Sequence, residues 1–175
     1  MKKESGNMWI IYRLIKFIKN IPKKIKWFFQ RGFRGYSDKD IWNIDKWFLN
    51  TIIPMLKQLK KEKNGYPIYM TEQQWDIILD NMIDSFKEST DEYCSEKNEY
   101  QEEYYNKKYS HIKNIEDLFI PCEDNPKIYK LNVGKVEEPL KTQYQEREEQ
   151  IKKYKIRMKN KAFRLFAKYF DDLWY

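Results

Sequence analysis

The stretch Met70-Thr71-Glu72-Gln73-Gln74-Trp75 constrains the fold more than any other part of the chain. Thr71, placed as an N-cap, can accept from the backbone N–H of the third helical residue, Gln74, while the Gln74 amide reaches back to the Thr71 N–H. Met70 and Trp75 stand where a hydrophobic staple would close around that cap. A helix therefore begins at Glu72. Its apolar stripe, Trp75, Ile78, Leu79, Met82, Ile83 and Phe86, recurs at three- and four-residue spacing and lies on one face.

The rest of the chain has the same helical grain. Residues 7–20 form an amphipathic segment with Ile10, Ile11, Leu14, Ile15, Phe17 and Ile18 on one side and Arg13, Lys16 and Lys19 on the other. Pro22 suits the first turn of a second short basic helix, KKIKWFFQR, which Gly32 or Gly35 would end. This pair is expected to be cationic outside and aromatic inside. Ser37 is the expected N-cap of a third helix running to about Lys61, with Asp40 completing an imperfect capping box and Pro54 inside the helix. The helix from Glu72 can continue through the polar, tyrosine-rich run that follows Phe86. Pro121, Pro126, Gly134 and Pro139 make residues 114–139 an irregular connection or small hairpin. From Leu140 a long helix extends to the end, with Tyr144, Ile151, Tyr154, Met158, Ala162, Leu165, Phe166, Tyr169 and Leu173 near one face, and its last turns are expected to be buried.

With only 5 Gly and 6 Pro in 175 residues, these patterns specify an all-α bundle of about four or five helices. The length suits a single helical domain over residues 1–175, with basic amphipathic helices over 7–30 and the bundle over 37–175.

The net charge of +7 is unevenly distributed: residues 1–34 hold ten Lys/Arg against the single acid Glu4. Such a segment attracts phosphate on nucleic acid, nucleotide or anionic lipid, and Arg13, Lys16, Lys19, Lys23, Lys24 and Lys26 form the expected basic surface. Cys94 and Cys122 lack CxxC spacing and have only His111 for company, which indicates a reduced protein with neither a zinc site nor another cofactor. No glycine-rich phosphate loop or nucleophile–base arrangement is visible, so the expected activity is binding rather than catalysis. Asp76, Asp80, Asp84 and Glu88 recur every four residues, but the stripe drifts by about 40° per step. It is expected to be a solvated acidic face. The apolar run MWIIYRLIKFI is broken by Arg13 and Lys16, with no small-residue cleavage site after it, and fits neither an export signal nor a spanning helix. The expected location is the cytoplasm, with membrane association through the amphipathic pair as an extension.

The segment RGFRGYSDKDIWNIDKWF, residues 31–48, places a carboxylate among apolar residues. Counted from Ile41 on one continuous helix, Asp45 falls at about 40°, between Ile52 at about 20° and Leu56 at about 60°. A carboxylate buried there requires a partner, for which Arg31, Arg34 and the indole N–H of Trp42 or Trp75 are the candidates. The result is either a structural ion pair or the floor of a polar pocket made by Arg31, Arg34, Tyr36, Asp38, Asp40, Trp42 and Asp45.

The blocks FFQRGFRGYSDKDIWNIDKWF, GYP, MTEQQWDIILDNMIDSF and LFAKYFDDLWY resemble, in order and content, a widespread family of small tailed-bacteriophage proteins without an assigned function. The resemblance covers residues 25–88 and 162–175. It implies a phage accessory protein acting in the cytoplasm of the infected cell, with sequestration of a nucleotide second messenger as the kind of anti-defence task such proteins perform. The resulting expectation is a non-enzymatic protein that binds an anionic ligand, a nucleotide signal, through Arg31, Arg34 and their neighbours. The alternatives are a peripheral membrane or host-protein interaction module, or a nucleic-acid-binding protein, using the basic aromatic N-terminal helices.

Overall fold

The computed structural model describes residues 22–125 and 127–174. The helix expected over residues 7–20, with Arg13, Lys16 and Lys19, lies outside the described residues. Within them the protein is all-α, as expected: helices α1 (residues 22–34), α2 (Ile44–Glu62), α3 (Glu72–Glu88), α4 (Gln101–Tyr109) and α5 (Leu140–Lys168), plus one short antiparallel pair, β1 (Phe119–Pro121) and β2 (Tyr129–Leu131). The chain divides into two compact units, Met1–Met55 and Leu56–Tyr175. The division falls inside α2, next to Pro54.

In the first unit, α1 closes where Gly35 adopts a left-handed φ of 76° and its N–H bonds the Arg31 carbonyl at 2.9 Å. Glycine takes this conformation without a Cβ penalty, so Gly35, and not Gly32, ends α1. The next helix does not start at Ser37. Asp40–Asn43 form a single 3-10 turn and α2 begins at Ile44. The Asp40 N–H bonds the Ser37 carbonyl at 2.9 Å, so the Ser37 hydroxyl is not the acceptor expected for a capping box.

In the second unit α3 starts as its sequence dictates. Thr71 Oγ1 accepts from the Gln74 N–H at 3.3 Å, and Gln74 Oε1 accepts from the Thr71 N–H at 2.9 Å. Trp75, Leu79, Met82 and Phe86 are fully buried and Ile83 nearly so. Each such side chain contributes roughly 1.5–3 kcal/mol of transfer free energy. Helix α5 covers this face: Phe86 meets Phe163 edge-on at 5.3 Å and Phe166 at 6.2 Å, and Trp75 meets Tyr169 at 5.8 Å.

Helix α3 stops at Glu88 instead of continuing through the tyrosine-rich run. The hydroxyls of Ser89 and Thr90 donate to the carbonyls of Phe86 and Lys87 at 2.7 Å each, giving the backbone an alternative to another helical turn. The segment beyond is tied to α5, where Arg147 bonds Glu96 at 2.7 Å and Glu99 at 3.0 Å, and the buried Asn98 amide donates to the Tyr144 carbonyl and to Glu148. Tyr104 of α4 stacks on Tyr144 of α5 with ring centroids 4.0 Å apart. Helix α5 ends at Lys168, short of the chain end, and a 3-10 turn, Phe170–Asp172, follows. Ala162 and Tyr169 are buried, but Phe170 and Trp174 stay exposed, so the final turns are less enclosed than expected.

Candidate functional site

The candidate site is built by α1 and the turn that follows it. Lys26, Gln30 and Arg34 sit four residues apart on one face of α1, and all three converge on Asp38. Gln30 Nε2 donates to Asp38 Oδ2 at 2.7 Å, Lys26 Nζ lies 3.0 Å from the same oxygen, and Arg34 Nη2 donates to Oδ1 at 2.7 Å. Gln30 also accepts from the Asp38 N–H at 3.0 Å, so its amide clamps both side chain and backbone of the turn. Arg31 grips Asp40 in bidentate fashion, Nε to Oδ2 at 2.9 Å and Nη2 to Oδ1 at 2.6 Å. Asp40 Oδ2 further accepts from the Ser37 N–H and hydroxyl, each at 2.8 Å, which is why Ser37 is fully buried on an otherwise exposed turn.

These bonds fix the ionisation of the pair. The Gln30, Arg34 and Lys26 donors hold the Asp38 carboxyl well below the usual carboxylate range. Arg31, and then Ser37 against the opposing effect of burial, do the same for Asp40. Carboxylates held this low are poor general bases near neutral pH.

The structure brings Arg31, Arg34, Tyr36, Asp38 and Asp40 together, but in a different arrangement from the expected pocket. The Arg34 guanidinium lies over the Tyr36 ring at 5.0 Å. Trp42, 87 % exposed, projects outward. Asp45 is also exposed, and the expectation of a buried carboxylate paired with Arg31 or Arg34 is incorrect. Asp45 does share its arc with Ile52 and Leu56, since all three lie within α2, but only the later part of that arc is covered: Leu56 is buried, Ile52 half-buried and Asp45 open to solvent. Ile41 and Ile44 are exposed as well, so the arc that Asp45 shares is not a core face at this end of the helix. Asp45 instead sits in the first turn of α2, where a carboxylate complements the helix dipole. The indole N–H of Trp75, the other candidate partner, has no hydrogen-bond partner among the described residues.

The orientation of α1 overturns a second expectation. Counted from Ile25, the side chains of Phe28, Ile25, Phe29 and Phe33 span an arc of about 140°, with Gln30, Arg31 and Arg34 on the opposite side. The polar side faces the Ser37–Asp40 turn, and the aromatic side faces out: Phe28 is 73 % exposed, Phe33 88 %, and Ile25 and Phe29 are also exposed. The helix is therefore aromatic outside rather than inside. Trp27 is half-buried beneath Lys39, whose ammonium lies 5.4 Å from the ring. Lys23, Lys24 and Lys26 are exposed on α1, Lys26 while paired with Asp38.

The acidic stripe on α3 is engaged within the protein. Lys63 lies 3.0 Å from both Glu72 and Asp76, Lys60 bonds Asp80 at 2.7 Å, and Lys87 bonds Asp84 at 2.9 Å. Glu88 accepts from the Ser95 N–H and hydroxyl and from Tyr154. Gln30 was missed by sequence reasoning as the central donor to Asp38, although its position midway between Lys26 and Arg34 on one helical face was the available signal.

Among the described residues, no helix is long and apolar enough to cross a membrane. Comparison with protein-family models, curated proteins and solved structures gives no match to the chain.

Proposed function

We propose that the protein is a non-enzymatic binding module whose first unit docks on an anionic lipid surface through α1. The observation that carries this reading is the outward aromatic arc of Ile25, Phe28, Phe29 and Phe33, with Lys24 and Lys26 at its two edges. A contiguous exposed apolar face on a polar chain marks an interaction surface, and an aromatic arc edged by lysines suits the boundary between headgroups and acyl chains. The ion pairs on the other side of α1 hold the helix to the turn and keep that arc facing out. Flotation of the purified protein with vesicles of phosphatidylglycerol and phosphatidylcholine tests the reading. The intact protein should float with these and much less with phosphatidylcholine alone, and Phe29→Asp with Phe33→Asp should abolish flotation. An intact protein that stays at the bottom of the gradient refutes it.

A second reading keeps a nucleotide as the ligand of Arg31 and Arg34, with Tyr36 stacked alongside. It draws support from the convergence of four donors, Lys26, Gln30, Arg31 and Arg34, on two carboxylates, since a phosphate could replace either acid. The ligand would have to displace Asp38 or Asp40, which makes this reading the weaker one. A thermal-shift panel of cyclic nucleotides should then give a shift that Arg34→Ala diminishes. The setting, a phage accessory protein with an anti-defence role in the host cytoplasm, rests on the resemblance of the sequence blocks.

A further inference from the structure

The densest uncompensated charge in the second unit lies on α5. From Lys152 to Lys168 this helix carries eight Lys/Arg and no Asp or Glu. Five of them, Lys153, Arg157, Lys161, Arg164 and Lys168, are spaced by four, four, three and four residues. They therefore fall within an arc of about 80° and form a straight track about 22 Å long. All five are exposed.

What holds these side chains separates them from the ion-paired cations of the second unit. Lys60, Lys63 and Arg147 are neutralised by carboxylates. On the track, Arg157 lies over the Tyr154 ring at 5.3 Å, Lys161 donates to Asn81 Oδ1, the side-chain amide oxygen, at 2.9 Å, and Lys168 lies over the Tyr169 ring at 4.8 Å. Neutral groups orient these three and leave their charge unspent. Only Lys153, at the N-terminal end, has a carboxylate near it among the described residues, Glu149 at 3.7 Å. A shallow hollow of about 510 Å³ opens between Lys153, Arg157, Lys161 and Arg164, lined also by Ile156, Asn160 and Leu165.

We propose that this track binds the phosphodiester backbone of a nucleic acid without reading its sequence. A phosphodiester backbone presents its phosphates in a row, so the five cations of the track can engage about four of them at once, whereas a mononucleotide would engage one end only. Beside the arc lies Asn160, a hydrogen-bond donor suited to phosphate oxygens, while the neighbouring rings of Tyr154 and Tyr169 are already covered by Arg157 and Lys168. The apolar side chains at the edges of the hollow, Ile156 and Leu165, are aliphatic and outnumbered by its cations, unlike the aromatic arc of α1, which argues for a polymeric anion over a lipid surface.

Fluorescence anisotropy of the full chain with a labelled oligo-dT strand and a mixed-sequence duplex, across a salt titration, tests the proposal. Both probes should bind, with a log–log salt slope of about −3 to −4. Arg157→Gln with Arg164→Gln should weaken binding at least tenfold and flatten the slope by about 1 to 2. Lys46→Gln with Lys57→Gln, a pair of exposed lysines on α2 with the same change in charge, should stay within about twofold of the parent. Circular dichroism checks that helicity is kept, and Arg164→Glu alone serves if the double variant loses it. The double variant should still float on anionic vesicles, which separates this site from docking by α1. Absence of salt-dependent binding, an equal loss in the control pair, or loss of flotation with nucleic-acid binding unchanged each overturns the proposal.

Discussion

Asp40 shows how much one side chain can organise in a segment with almost no core. It accepts from both arms of Arg31 and from the backbone and hydroxyl of Ser37, so the close of α1 and the start of the next turn depend on a single carboxylate. Asp40→Asn should cost about 1–2 kcal/mol of local stability, toward the low end because Arg31 is half exposed and screened by solvent. Faster hydrogen exchange at the Ser37 amide would report it. Arg34→Ala should loosen the same turn less, since Asp38 keeps Gln30 and Lys26; equal effects would contradict this ordering. Gly134 illustrates a different constraint, one of space rather than dihedral angle. A Cβ there would lie 3.1 and 3.2 Å from the backbone carbonyl oxygens of Lys107 and Lys108, at the end of α4, and those atoms cannot turn aside. Gly134→Ala should destabilise by about 1–3 kcal/mol and lower Tm by several degrees, and an unchanged Tm would show that the backbone yields freely.

At the level of elements, legibility followed the density of local signals. Helix α3 was readable to its first residue because cap, staple and stripe all agree, and the structure forms the cap and buries the stripe. Thr71→Ala should therefore cost about 1 kcal/mol, and Leu79→Ala about 2–5 kcal/mol, in chemical denaturation of the second unit; a cap variant as costly as the core variant would mean that the cap is not the local feature it resembles. Helix α2 was legible in type but not in start. Ser37 and Asp40 match a capping pattern, and the Asp40 carboxylate does reach back to the Ser37 N–H, but the Ser37 hydroxyl donates to that carboxylate instead of accepting from the Asp40 N–H, and the chain takes a 3-10 turn. Helix α1 was legible as amphipathic, but periodicity states only which residues share a face and not which face turns inward. Here the convergence of Lys26, Gln30 and Arg34 on Asp38 decided it, against the usual preference for apolar burial. The ion-pair cluster centres on Asp38 and Asp40, with Gln30 and Lys26 joining Arg31 and Arg34, rather than on Asp45.

For the whole molecule, the two units are held together internally by different physics, and acid should separate them. Among the described residues of the first unit, only Ser37 and Ile53 are buried, and its turn rests on Asp38 and Asp40 in ionised form. Both carboxyls are depressed in the folded state relative to an unfolded value of about 3.9. Their contribution is therefore fully present above that value and is lost progressively as the pH falls below it toward the folded values. In the second unit Glu88 is also held low, first by the Ser95 N–H, but the core of Trp75, Leu79, Met82 and Phe86 is apolar and does not titrate. Lowering the pH from 7 to about 2.5 should then loosen the first unit while the second keeps its packing. Amide NMR spectra through this range check the sequence of events: the Ser37 and Asp38 resonances, whose N–H groups bond Asp40 and Gln30, should lose dispersion while those of Leu79 and Met82 remain dispersed. Loss at Leu79 before Ser37 would place the acid-sensitive contacts in the second unit instead, and the carboxylate network of the first would then be an ornament on a turn that the backbone closes by itself through the Gly35 and Asp40 bonds.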